Sequence, residues 1–151
     1  MTEPIRQGDI PGVQLRRRQA VAAPPSEVWP WLVEPPLLAR WLASEAELET
    51  TAGPLLLVGT DEAGAPLRER ARTLEIDPPR LWVASFERLD AGWPAATRLA
   101  IRLHPGPEGS EVDVLQDGFQ RLPLSLCLTV WEAYRRRWRD ALARLAVEIA
   151  R

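Results

Sequence analysis

The last quarter of this chain is written in a different period from everything before it. From about Ser125 to Ile149, the residues Trp131, Tyr134, Trp138, Leu142, Leu145 and Ile149 recur at steps of three and four. That spacing predicts one apolar stripe on an α-helix. Glu132 with Arg136, and Asp140 with Arg144, stand four apart with the acid first, the favourable orientation on a helix. At ~1.5 Å per residue the helix is on the order of 35 Å long. A stripe of that length needs an equally long partner surface to be buried. Six or seven antiparallel strands can supply one.

The sequence before it reads as those strands. VQLRRRQAVA (13–22) fits a strand with Val13 and Leu15 on one face and Gln14, Arg16 and Arg18 on the other. The Arg16-Arg17-Arg18 run is read as a solvated face near a sheet edge, where charge discourages mispairing. Then comes PPSEVWPWLVEPPLLARWL (24–42), two short helices punctuated by proline. Pro24 and Pro25 suit the first positions of a helix, where a missing N–H costs nothing. Pro30 comes too late for that role and removes a backbone hydrogen bond. Pro35 and Pro36 close the first helix and open LLARWL (37–42).

Further strands are expected over 46–52, 55–60, 66–76, 81–89, 97–104 and 111–119, separated by Gly- and Pro-containing turns. In 66–76 the arginines Arg68, Arg70 and Arg72 share a face, and Leu74 and Ile76 then fall on that same face. This loss of phase predicts a bulge near Thr73. Short connections make the sheet mainly antiparallel. The order gives an α+β fold of two layers, a curved sheet and a long terminal helix. Residues 1–12 are an irregular lead-in and 13–151 one domain.

Composition excludes several classes. The net charge of −2 exerts no global pull toward nucleic acid. No apolar run approaches the ~20 residues of a membrane span. One cysteine, Cys127, rules out an internal disulfide and any multi-cysteine zinc site. No secretory leader is evident, so a cytoplasmic location is expected. All 19 basic residues are Arg. Codon choice in a GC-rich genome explains that bias without any special recognition chemistry.

Several segments together resemble a known superfamily. APPSEVWPWL (23–32) is similar to its Ala-Pro, Val-Trp helix opening, and LLARWL (37–42) to its second short helix. DPPRLWVASF (77–86) is similar to its Pro-Pro, Arg-Leu start of a strand. VDVLQDGF (112–119) is similar to its last strand, and WRDALARLAVEI (138–149) to its closing helix. The chain thus resembles the SRPBCC, or START-like, superfamily and within it the branch of activators of heat-shock-protein-90 ATPase. The resemblance implies a helix-grip (Bet v-like) fold: a curved antiparallel sheet of six to seven strands around a C-terminal helix, with two short helices after the first strand. It also implies a cavity between sheet and helix, in which many members hold apolar small molecules.

Trp82, Phe86, Trp93, Phe119, Trp131, Tyr134 and Trp138 are the aromatic candidates for lining such a cavity, and Arg70 the candidate anchor for a ligand carboxylate. A solid aromatic core is the competing reading. His104, beside Pro105, reads as a surface turn residue, and Cys127 as a buried inert thiol. Glu69, Glu75, Glu87, Asp113 and Asp117 offer carboxylates, but nothing in the spacing brings two to one carbon. No phosphate-binding glycine loop is present, so no cofactor or metal is expected. The first expectation is therefore a binder of a small hydrophobic molecule, monomeric or homodimeric, with no nucleic-acid partner. The rivals are an enzyme of the cyclase/aromatase or hydrolase type, and a module that binds a chaperone or other protein.

Overall fold

The computed structural model describes residues 10–48, 53–61 and 63–151. Strand β1 (Gln14–Val21) is followed by helices α1 (Pro25–Val33) and α2 (Pro35–Leu38). Strands β2 (Glu45–Leu48), β3 (Leu55–Thr60), β4 (Pro66–Asp77), β5 (Leu81–Arg88), β6 (Thr97–Gly106) and β7 (Gly109–Asp117) come next. A 3-10 turn (Phe119–Arg121) leads into helix α3 (Leu124–Ile149). The strands form one antiparallel sheet in the order β1-β7-β6-β5-β4-β3-β2. Except where β1 joins the far side of β7, each strand pairs with its neighbour in sequence, as short connections require. This is the helix-grip arrangement, with α1, α2 and α3 on one face of the sheet.

Proline sets the two short helices. Pro24 caps α1 from an extended conformation. Pro35 then forces Glu34 out of the helical region, to φ −91° and ψ 120°, and α1 ends there. Pro30 lies inside α1 and is tolerated because only one further turn follows; its carbonyl still accepts the Glu34 N–H at 2.9 Å. The second helix differs from expectation. It begins at Pro35 and stops at Leu38, so Trp41 and Leu42 lie in the turn beyond it. Both are nevertheless buried, and the Trp41 indole donates to the Trp31 carbonyl at 2.9 Å.

The bulge in β4 is present: pairing with β5 shifts between Thr73 and Glu75, leaving Leu74 outside the ladder and 62% exposed. The strand expected over 46–52 is described only as far as Leu48; residues 49–52 lie outside the described residues, as do residues 1–9 of the lead-in. One reading of β1 is corrected. Arg17 is not solvated but buried, because the period of two puts it in phase with Leu15 and Val21 on the helix-facing side. Arg16 and Arg18 stay on the outer face, 3.5 and 3.8 Å from the carboxylate of Asp113.

The outer face also holds a small apolar cluster, Leu81, Val83 and Ala100. It is separate from the main core because those residues alternate with Trp82, Ala84 and Ile101, which face the helices. In register around it stand Arg102 and Arg98, whose hydrocarbon stems are long enough to shield it from water.

The main core lies between sheet and helices, and its depth carries a line of buried hydrogen bonds. The Trp138 indole donates to Gln116 Oε1 at 2.8 Å. Gln116 Nε2 donates to Thr97 Oγ1 at 2.9 Å, and the Thr97 hydroxyl donates to the Phe86 carbonyl at 2.7 Å. This line runs from α3 across β7 and β6 to β5. A second tie, from the Trp131 indole to the Gln14 carbonyl at 2.7 Å, fastens the start of α3 to β1. At the far end, Gly109 (φ +139°) lets the β6–β7 hairpin approach the β1–α1 link. A Cβ there would stand 2.6 Å from the Ala23 nitrogen, and Ser110 Oγ donates to the Ala23 carbonyl at 2.6 Å.

Gln116→Leu removes both an acceptor and a donor from the buried line. It is expected to destabilise the protein by about 2 kcal/mol, because the Trp138 indole is left without a partner. Adding Trp138→Phe removes the orphaned donor, so the double variant should lose less than the sum of the two single losses. Urea unfolding of the four proteins in the cycle measures both quantities.

Candidate functional site

A pocket of about 450 Å³ lies where the C-terminal half of α3 passes the β3–β4 hairpin. Its helix wall comes from Ala133, Tyr134, Arg137, Asp140, Ala141 and Arg144, a stripe at helical spacing beside the core stripe. Its sheet wall comes from Gly59, Thr60, Asp61, Leu67 and Arg88, and its end from Leu42, Ala43 and Ser44. The room has a simple origin. Ala43, Ser44, Gly59, Ala133 and Ala141 are all small and face one another. Gly59 points inward in register with buried Leu67, and the space a Cβ there would occupy is bounded by Ser44 at an ordinary 3.7 Å.

At the inner end of the pocket three side chains are locked together. Glu69 is inward-facing on β4 and almost wholly buried. It accepts hydrogen bonds from the Tyr134 hydroxyl and from Arg137 Nη1. Arg137 Nη2 donates to the Leu42 carbonyl at 3.0 Å, so this guanidinium ties α3 to β4 and to the turn after α2. Burial first, and then the neighbouring Glu69 charge, push the Tyr134 hydroxyl well above its ordinary range. Burial, the largest single effect, works against the charge on Arg137, but Glu69 and Tyr134 together outweigh it and the pKa of the guanidinium is raised. Both groups therefore keep one protonation state across the neutral range, with Tyr134 as a donor and Arg137 as a cation.

The pocket's outer end is also charged. Asp61 Oδ1 accepts the N–H groups of Ala65 and Ala63, both at 2.9 Å, and Arg88 Nη2 lies 3.3 Å from Asp61 Oδ2. The Ala65 N–H foremost, with Ala63 and Arg88 behind it, holds the Asp61 carboxyl below its usual value against the opposing effect of burial. Arg144 Nη1 donates to the Trp41 carbonyl at 2.9 Å instead of pairing with Asp140, whose carboxylate is taken by Arg139 Nε at 3.0 Å.

Of the residues proposed from the sequence, Tyr134 lines this pocket. Phe86, Trp93 and Phe119 gather around its ring, with centroids at 6.0, 6.0 and 6.1 Å. Trp93 reaches it from the loop after β5 and is half-buried; the other two are core. Trp138 packs on Trp41 at 6.4 Å, and Trp131 lies under Arg135 at 4.9 Å. Trp82 donates to Thr73 Oγ1 at 2.9 Å, away from the pocket. These aromatics fill the space beneath the middle of the helix as core. Arg70 requires a correction. It lies on the outer face of β4 with Arg68 and Arg72, 3.8 Å from Glu87, because Leu67, Glu69 and Ala71 hold the inward phase.

Glu69, Arg88, Arg137, Arg144 and Gly59 are the site residues that the sequence reading did not select. A signal existed for Glu69, since it is the one carboxylate in phase with the buried apolar residues of its strand. His104 is exposed as expected but lies within β6 opposite Glu111 and not in a turn, because the strand runs on to Gly106; Cys127 is buried, its thiol donating to the Gly12 carbonyl at 2.9 Å. Among the described residues no group of three or more His, Cys, Asp or Glu gathers as metal ligands would, and no helix is long and apolar enough to cross a membrane.

The family described as "Activator of Hsp90 ATPase homolog 1-like protein" matches residues 22–146. No curated protein matches. Solved structures share the fold. A Rhodobacter sphaeroides protein is 24% identical, with a TM-score of 0.76 and 97% of each chain covered. Protein CV1439 from Chromobacterium violaceum is 22% identical, with a TM-score of 0.73 over 91% of this chain and 97% of the other. DynU16, a protein in the dynemicin biosynthetic locus, is 20% identical with a TM-score of 0.70. That match covers 91% of this chain but 47% of DynU16. At these identities the neighbours speak for the fold alone.

Tyr134 is the only tyrosine in the chain, so its ionisation can be read directly. Its hydroxyl is raised in the folded state, so its stabilising contribution is whole below the unfolded value of about 10 and declines as pH rises above that. Near-ultraviolet absorbance should show no phenolate at a pH where free tyrosine is ionised, until the protein unfolds. Tyr134→Phe should remove this alkaline loss while costing about 1 kcal/mol at neutral pH. A phenolate titrating at the free-tyrosine value in folded protein would contradict the assignment.

Proposed function

The chain belongs to the Activator of Hsp90 ATPase homolog 1-like family, and on that premise we propose that it binds a small, largely hydrophobic molecule between the sheet and the C-terminal helix. The observation that carries this reading is the pocket of about 450 Å³ beside α3, a volume in the range of small-molecule sites. Leu42, Leu67, Ala133 and Ala141 offer apolar contact, and a few charged groups at either end offer orientation. Burial of the ligand against these walls drives affinity, at roughly 25 cal/mol per Å² of apolar surface removed from water.

An enzyme using the same cavity is the second reading, and the buried Glu69–Tyr134–Arg137 group is the observation in its favour. Acid–base chemistry, however, needs a group that exchanges a proton near the working pH. Tyr134 and Arg137 are both held away from that range, which suits a fixed anchor better than a proton carrier. For a protein partner, Leu74 and Ile76 on the bulged end of β4 are 62% and 51% exposed, and Leu124 and Leu128 on the first turns of α3 are 91% and 57% exposed. Each pair is a small part of the ~800 Å² per partner of a standard interface.

Gly59→Phe fills the pocket from the sheet side, at a position where an added Cβ meets no atom closer than 3.7 Å. The wild-type protein is expected to carry a bound small molecule in native mass spectrometry after gentle purification, and the variant to carry none while keeping its fold. A thermal shift from a lipid and aromatic panel should likewise appear in the wild type only. Repeated absence of bound mass and of any shift in the wild type would sink the reading.

A further inference from the structure

The charges around the pocket do not cancel. Three guanidinium groups line it, from Arg88, Arg137 and Arg144. Arg137 is matched by buried Glu69, and Arg88 by Asp61 at 3.3 Å. Asp140, the remaining acid of the lining, is matched by Arg139 at 3.0 Å. Arg144 is left with a neutral acceptor, the Trp41 carbonyl at 2.9 Å. Among the described residues it has no carboxylate partner. The lining therefore keeps one positive charge after its internal pairs are formed.

We infer that the ligand of this pocket is a carboxylate-bearing amphiphile whose anionic end is held by Arg144. The inference rests on the pocket being a ligand site, as proposed above, and names the chemistry of what enters it. A guanidinium has five N–H donors in a planar fork. The Trp41 bond uses one and fixes the position of the group, leaving donors for the two oxygens of a carboxylate. Leu42 and Ala141, the latter one turn before Arg144 on the same face of α3, give the apolar body of such a ligand a wall next to its charged end. A cationic amphiphile would meet the same unmatched charge and be repelled. A neutral one would gain the burial without the ion pair. Arg144 is solvent-exposed, so the ion pair adds selectivity more than it adds affinity.

The test compares decanoate, decanol and decylammonium, three probes with one tail and three charges, by calorimetric titration of the full chain. Decanoate is expected to bind most tightly and decylammonium least. Arg144→Gln should weaken decanoate about fivefold more than it weakens decanol, erasing the advantage of decanoate. Arg144→Lys should restore part of the advantage, because charge returns without the planar fork. Raising the ionic strength should shrink the preference in the wild type and leave the Arg144→Gln variant unmoved. Equal binding of decanoate and decanol, an advantage that survives Arg144→Gln, or tightest binding of decylammonium would overturn the anionic assignment while leaving the pocket a ligand site. If no probe binds and native mass spectrometry finds no bound molecule, the ligand-binding reading and this inference fall together.

Discussion

The hydrogen bond from the Trp138 indole to Gln116 decides where everything else on α3 can go. Hydrophobic contact alone would let an apolar stripe slide or roll over an apolar sheet, because burial is nearly indifferent to direction. A buried indole N–H has no such freedom: it must find an acceptor or forfeit its hydration. Gln116 is itself held by Thr97, and Thr97 by the Phe86 carbonyl. The helix is thereby indexed to one residue on the sheet. Once Trp138 is placed, Tyr134 stands one turn earlier above Phe86, and Arg137 falls beside Glu69.

From that index follows the division of the space under the helix. Along the centre the large aromatics meet and close it, with Trp41, Trp138, Phe86 and Phe119 fully buried. Toward the β3–β4 side the facing residues are small and the space stays open. Tyr134 stands on the boundary, its ring among the aromatics and its hydroxyl on the carboxylate that marks the pocket's inner end. The site is thus a by-product of side-chain size, opened by Gly59, Ala133 and Ala141 and lined by charge where the core stops.

The charges obey the same geometry. A carboxylate as buried as Glu69 is tolerable because two donors reach it, and one of them is a cation. Removing Arg137 would leave the Glu69 charge without compensation inside the protein, so the group acts as a fixed strut between β4 and α3. On the outer face of the sheet the arginines do different work. Arg16 and Arg18 share the buried Asp113 across the β1–β7 ladder and cover it from water. Arginine therefore serves as strut, cover and pocket wall in one small protein.

Much of the fold was legible without coordinates. The switch from a period of two to a period of 3.6 announced the sheet and its helix, proline marked both ends of α1 and the start of α2, and the broken alternation near Thr73 announced the bulge. These are local signals, produced by backbone geometry and by which side of an element meets water. The pocket was not local. Gly59, Leu42 and Arg144 are far apart in sequence and become neighbours only when α3 lies across the sheet at one register. A stripe of tryptophans looks alike as core or as pocket lining, and only packing decides which. Sequence alone determined that a long helix must be gripped by a curved sheet. Tertiary structure decided where the grip leaves room and which charge remains unmatched there, because both depend on distances between side chains that no pattern along the chain contains.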